Sequence, residues 1–280
     1  MRMRVGMWFY GLATVVTGIL NIVWGEFEAS HQPIQSFGQH IPGVRVFAYL
    51  AGIWLVAAGM GILWRRTARA GAVGSAMIYL IFALFWLPRF YTATHAFGLR
   101  IGVVVFVLGG VAAQILLVAP AAIVYSATQS LDSEWRRRAV IAGRWMLGLP
   151  PITFGLGHLI NLHAYARFVP HWVPFASFWI VLTGIAFLLA GTAIVCGIQD
   201  VFAARLLALM LLVFEAAVEI PPVFIQPHSQ IAWGGAVYNL TAIGTCWIFA
   251  EFVVRSRRAE RRETGVSGQI VTSRPDSLIA

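Results

Sequence analysis

The chain alternates between long apolar runs and short polar joints. A helix that crosses a bilayer needs about 20 mostly apolar residues. Eight runs reach that length, at 5–24, 44–64, 71–90, 101–125, 144–163, 175–198, 203–221 and 231–253. The joints alternate in charge. MRMR, WRRTARA, DSEWRRRAVIAGR, QDVFAAR and RSRRAERR all fall on one side of a membrane crossed eight times. The opposite loops, GEFEASHQPIQSFGQHIPG, PRFYTATHAFG, HAYARFVPHWVP and PPVFIQPHSQ, are poorer in arginine. Basic loops stay in the cytoplasm, so both termini are expected there. The run after MRMR is as long as a span and lacks a small-x-small cleavage site after it. It reads as a retained helix, not a signal peptide.

Composition narrows the class. The chain has 280 residues, 59% hydrophobic and 11% charged. That is the balance of a polytopic membrane protein. A net charge of +9 would suggest nucleic acid in a soluble protein. Here the arginines lie between apolar runs and in the tail, so they read as topology and as contacts with membrane lipids, and no nucleic-acid partner is expected. Cys196 and Cys246 stand in separate apolar runs with no C-x-x-C pair, so a redox dithiol is absent.

The chain also resembles itself. HIPGVRVFAYLAGIWLVAAGMGIL from His40 parallels HWVPFASFWIVLTGIAFLLAGTAIV from His171. Pro42, Gly52 and Gly59 align with Pro174, Gly184 and Gly191 without a gap, and Pro88 and His95 are spaced like Pro221 and His228. GILNIVWGE of the first run loosely resembles GLGHLINLH of the fifth. The expected fold is therefore all-α, with eight transmembrane helices as two parallel four-helix units. The first unit covers 1–125, a cytoplasmic linker 126–143 and the second unit 144–254. A disordered basic cytoplasmic tail covers 255–280.

The proline-bearing loop, the small-residue stripe of VPFASFWIVLTGIAFLLAG and the arginine-bearing turn after it resemble the DoxX family (DoxX/DoxD-like membrane proteins). The resemblance is best over 158–250 and weaker over 18–125. It implies an integral protein of the bacterial cytoplasmic membrane. It also implies a place as accessory or subunit in a quinone-linked or thiol-related redox system. It supplies no catalytic signature to carry over.

The candidate chemistry lies toward the arginine-poor side. Glu215 and Glu219 share one helical face in RLLALMLLVFEAAVEIPPVF. A carboxylate at that depth costs several kilocalories unless it is protonated, paired or wetted. The first unit has FALFWLP at the matching place, so insertion does not require the acids. Pro221 is expected to end the seventh run near Ile220. His158 and Glu219 each stand roughly 21 Å from the basic edge and form one layer if the fifth and seventh runs touch. Asn161 is one turn beyond His158, and His163 lies near the end of the same run. Arg167 is a possible contact for an anionic group or a lipid phosphate. Glu26 and Glu28 read as solvated loop ends.

Three readings of this layer stay open. It is a site for a proton, a transition metal or a small molecule such as a quinone head group; a helix-packing hydrogen bond; or a group of residues at the headgroup boundary. Imidazole and carboxylate suit a metal, but no HxxxH or HExxH pattern occurs. There is no nucleotide loop and no nucleophile with a placed base, so a stand-alone enzyme is not expected. The alternatives to a redox accessory are a small-molecule or proton-coupled transporter and a structural membrane partner.

Overall fold

The computed structural model describes residues 2–28, 42–166, 168–170 and 172–272. They form helices α1 (Arg2–Trp24), α2 (Val44–Leu63), α3 (Ala68–Trp86), α4 (Arg89–Phe97), α5 (Ile101–Ala127), α6 (Ser133–Ile160), α7 (Leu162–Ala166), α8 (Ala176–Cys196), α9 (Asp200–Phe214), α10 (Ile220–Ile225) and α11 (Gln230–Thr272), with a π turn (Glu215–Glu219) between α9 and α10. Among the described residues, eight stretches are long and apolar enough to cross a membrane: α1, α2, α3 with α4, α5, α6, α8, α9 through α10, and α11.

These helices form one bundle, because each packs on the next and α11 returns to lie along α1. α5 packs on α6, while α1 and α5 barely meet. The first five and the later helices are therefore joined where α5 packs on α6 and where α11 packs on α1 and α5. α11 also touches α6 and α9. Its apolar window is 78% buried, against 28–44% in the other seven, so it is the central helix. The outer helices turn residues such as Val46, Phe47, Leu182 and Leu189 outward, the face a lipid tail would cover.

Glycines set two close crossings. A Cβ on Gly52 would stand 2.7 Å from the Gly18 carbonyl, and one on Gly59 would stand 2.7 Å from that of Gly11. In the other half, Cβ atoms on Gly155 and Gly191 would stand 2.6 Å from the carbonyls of Gly184 and Gly148. Apolar side chains gain nothing over lipid tails, so close backbone approach is what binds such helices.

Three expected boundaries move. The 126–143 linker shrinks, because α5 runs to Ala127 and α6 starts at Ser133. Asp132 caps α6 by accepting from the Trp135 N–H at 2.8 Å. The segment from 255 is not a disordered tail where it is described. α11 continues through Thr272, held by Arg257 to Asp200 (2.6 Å) and Arg136 to Glu263 (2.9 Å). Residues 273–280 lie outside the described residues. The seventh span does not stop at Ile220 but runs on to Ile225. The Ile220 N–H donates five residues back to the Glu215 carbonyl, and this widened turn leads directly into Pro221 and Pro222, which have no N–H to continue the ladder.

Candidate functional site

The π turn places the two glutamates against α11. Glu215 is buried, and its Oε2 accepts from the Asn239 amide at 2.8 Å. The same amide donates to the Leu211 carbonyl at 2.8 Å, so Asn239 ties the end of α9 to the central helix. Glu219 stands four residues on, in electrostatic contact with Glu215. Its carboxylate occupies the place a side chain would take at Gly235.

His158 lies on a different seam, between α6 and α8. Its Nδ1 sits 2.8 Å from the Phe154 carbonyl. Its ring stacks on Tyr165 at 4.2 Å and tilts against Phe187 at 5.4 Å. Phe187 in turn meets Phe214, the residue before the π turn. An aromatic cluster thus joins His158 to the glutamate region. α7 folds Tyr165 back over the end of α6, and burial raises its phenol above the ordinary value. Asn161 caps α6 and reaches the Gly102 carbonyl of α5 at 3.4 Å. His163 is exposed in α7. Arg167, like His31, His40 and His171, lies outside the described residues.

The structure therefore brings Glu215 and Glu219 together and adds Asn239. It gives His158 to the aromatic cluster and Asn161 to the seam between the halves. Among the described residues, no three His, Cys, Asp or Glu side chains come close enough to hold a metal ion.

A second buried acid is in the first half. The backbone turns at Gly25 with φ +63°, and the chain folds back over the bundle. Phe27 packs edge-on against Phe82 at 5.8 Å. Glu28 follows it inward and is 3% exposed, not a solvated loop end. It is an electrostatic partner of Arg89, itself 4% exposed, whose guanidinium lies 3.9 Å from the centre of the Trp86 ring. A cavity of about 20 Å³, room for about one water, lies among Glu28, Asn21, Thr17, Tyr79, Tyr238 and Thr241. A stripe in the first run marks this interior: Tyr10, Thr14, Thr17 and Asn21 recur at helical spacing, and Tyr10, Thr14 and Asn21 are fully buried.

One helix separates the two acids. A Cβ on Gly234 would stand 2.8 Å from the Glu28 carboxyl carbon, and Gly235 faces Glu219. One turn on, Tyr238 lines the Glu28 cavity and Asn239 binds Glu215. Successive residues of a helix point about 100° apart. Paired neighbours on α11 therefore serve two sites, and the glycines leave only backbone between each acid and the helix.

On the basic side, fully buried Asp200 accepts from Arg144 (2.9 and 3.0 Å) and from Arg257 (2.6 Å). This clamp ties α6, α9 and α11 and offers no open position for a ligand. No protein-family model, curated protein or solved structure matches this chain.

Proposed function

We propose that the protein is a multi-pass protein of the bacterial cytoplasmic membrane, with both termini inside. In this reading the Glu215–Glu219–Asn239 site takes up a proton, or a small polar molecule that carries one, from the outer side. The observation that carries it is the buried Glu215 in a π turn, bonded to Asn239 and neighboured by a second carboxyl group. Two adjacent carboxyl groups in a membrane interior need a proton or a cation between them. π turns inside helices occur often at functional positions. The function class is thus proton-coupled, with His158 and Tyr165 as aromatic neighbours of the site.

The matched glycine crossings support reading the chain as tandem four-helix repeats in the same orientation. The DoxX-like resemblance adds the redox-linked form of this proposal, in which a quinol-type head group is the proton carrier and a redox subunit is the partner. That form rests on the resemblance alone.

The test is native mass spectrometry of gently extracted protein, beside proton uptake in proteoliposomes, for the parent and the Glu215→Gln, Glu219→Gln double variant. A retained small molecule or a proton flux that the variant loses supports the reading. A parent and variant that behave alike in both assays overturn it.

A further inference from the structure

A large cavity lies at the other end of the molecule. It measures about 770 Å³ and opens on the basic side between α1, α2 and α11. Arg4 of α1, Arg65 of the turn after α2 and Arg255 of α11 line it. Among the described residues, no acidic one does. Elsewhere on this side Arg136, Arg144, Arg205 and Arg257 each meet a carboxylate. Among the described residues, no carboxylate pairs with Arg4, Arg65 or Arg255. The three guanidinium groups come from three separate elements, far apart in sequence.

The rest of the lining is of another kind. Met7, Ile62 and Val124 form an apolar floor, and Trp8 and Trp64 stand at the lip, 53% and 67% exposed. Exposed tryptophans at helix ends belong at the membrane–water boundary, where one side of the ring meets headgroups and the other meets acyl chain. Arginine presents several N–H donors in a fork that matches phosphate oxygens. A site that is cationic at its rim and apolar at its base fits a ligand with a phosphate at one end and hydrocarbon at the other.

We propose that this cavity binds one anionic phospholipid. Its phosphate would sit on Arg4, Arg65 and Arg255, and its first acyl carbons on the apolar floor. The site is distinct from the carboxylate sites and does not depend on what they bind. The bound lipid would bridge α1, α2 and α11 on the side where Asp200 already ties α11 to α6 and α9.

The experiment is native mass spectrometry of the full chain in mixed micelles with equal phosphatidylglycerol and phosphatidylcholine. It compares the parent, the Arg4→Gln, Arg65→Gln, Arg255→Gln triple variant, and Arg100→Gln as an arginine control on the opposite side. All four arginines are exposed, so the variants should fold, and circular dichroism checks this. A basic side chain near a membrane surface changes anionic-lipid affinity by roughly fivefold, so three convergent ones should change it on the order of a hundredfold. The expected result is a single retained phosphatidylglycerol on the parent and on the control, lost from the triple variant. Equal retention of the two lipids by the parent, or undiminished phosphatidylglycerol on the triple variant, overturns the proposal. A further arm adds millimolar inorganic phosphate. Displacement of the lipid by phosphate alone would make this a free-phosphate site and overturn the lipid assignment.

Discussion

The two buried acid sites solve the same problem with different chemistry. In the first half, Glu28 is balanced by a full positive charge, Arg89, which itself rests on the Trp86 ring. In the second half, Glu215 has an amide for its partner, Asn239, and a second acid beside it. At Glu28 a negative and a positive charge offset each other. A carboxyl held by a neutral amide, beside a second carboxyl, draws no such offset from either of these neighbours. This contrast makes the second site the better functional candidate and the first the more structural one.

The contrast can be broken in order of effect. The Glu28→Gln substitution leaves a buried guanidinium without its counter-charge, which costs about 3–5 kcal/mol. Unfolding in mixed detergent should show that loss, and adding Arg89→Met should restore most of it. Second, Gly59→Val and Gly191→Val should each cost about 1–3 kcal/mol or more by overpacking against the Gly11 and Gly148 carbonyls and against Val15 and Ile152. Unequal costs in the same unfolding assay would argue against equivalent crossings in the two halves. Third, Asn239→Leu removes the donor from both Glu215 and the Leu211 carbonyl and should cost about 1–3 kcal/mol, with a shift of the Glu215 carboxyl infrared band. The smallest change is Glu215→Gln. Its amide oxygen can still accept from Asn239, so stability should move by less than about 1 kcal/mol while proton uptake is lost. A Glu215→Gln loss as large as that of Glu28→Gln would erase the distinction between the two sites.

Much of this arrangement was legible in the chain. Helix length and apolar content are local properties, so all eight spans could be read from the residues. Glu215 and Glu219 stood out because acids are costly in such a run. Their partner did not, because Asn239 lies in a polar stretch, VYNLTAIGT, that offers several candidates. Glu28 escaped because its burial depends on a chain reversal at Gly25, which hydropathy cannot show. The diglycine at 234–235 was the available signal, since two adjacent missing side chains mark a close approach on two faces. The helical continuation past Arg255 was hidden for a related reason. A charged segment reads as solvated until its partners, here Asp200 and Arg136, are known to stand beside it.

The central helix has a mechanical consequence. Between Gln230 and Glu263 it contains no proline, and over that length it extends about 50 Å. Both acid sites grip one end, and the Asp200 clamp and the arginine-lined cavity grip the other. A rod held in this way couples the two ends mechanically. If it turned by the angle of a single residue, Gly235 would take the face that Gly234 now holds, and the same turn would move Arg255 and Arg257 at the far end.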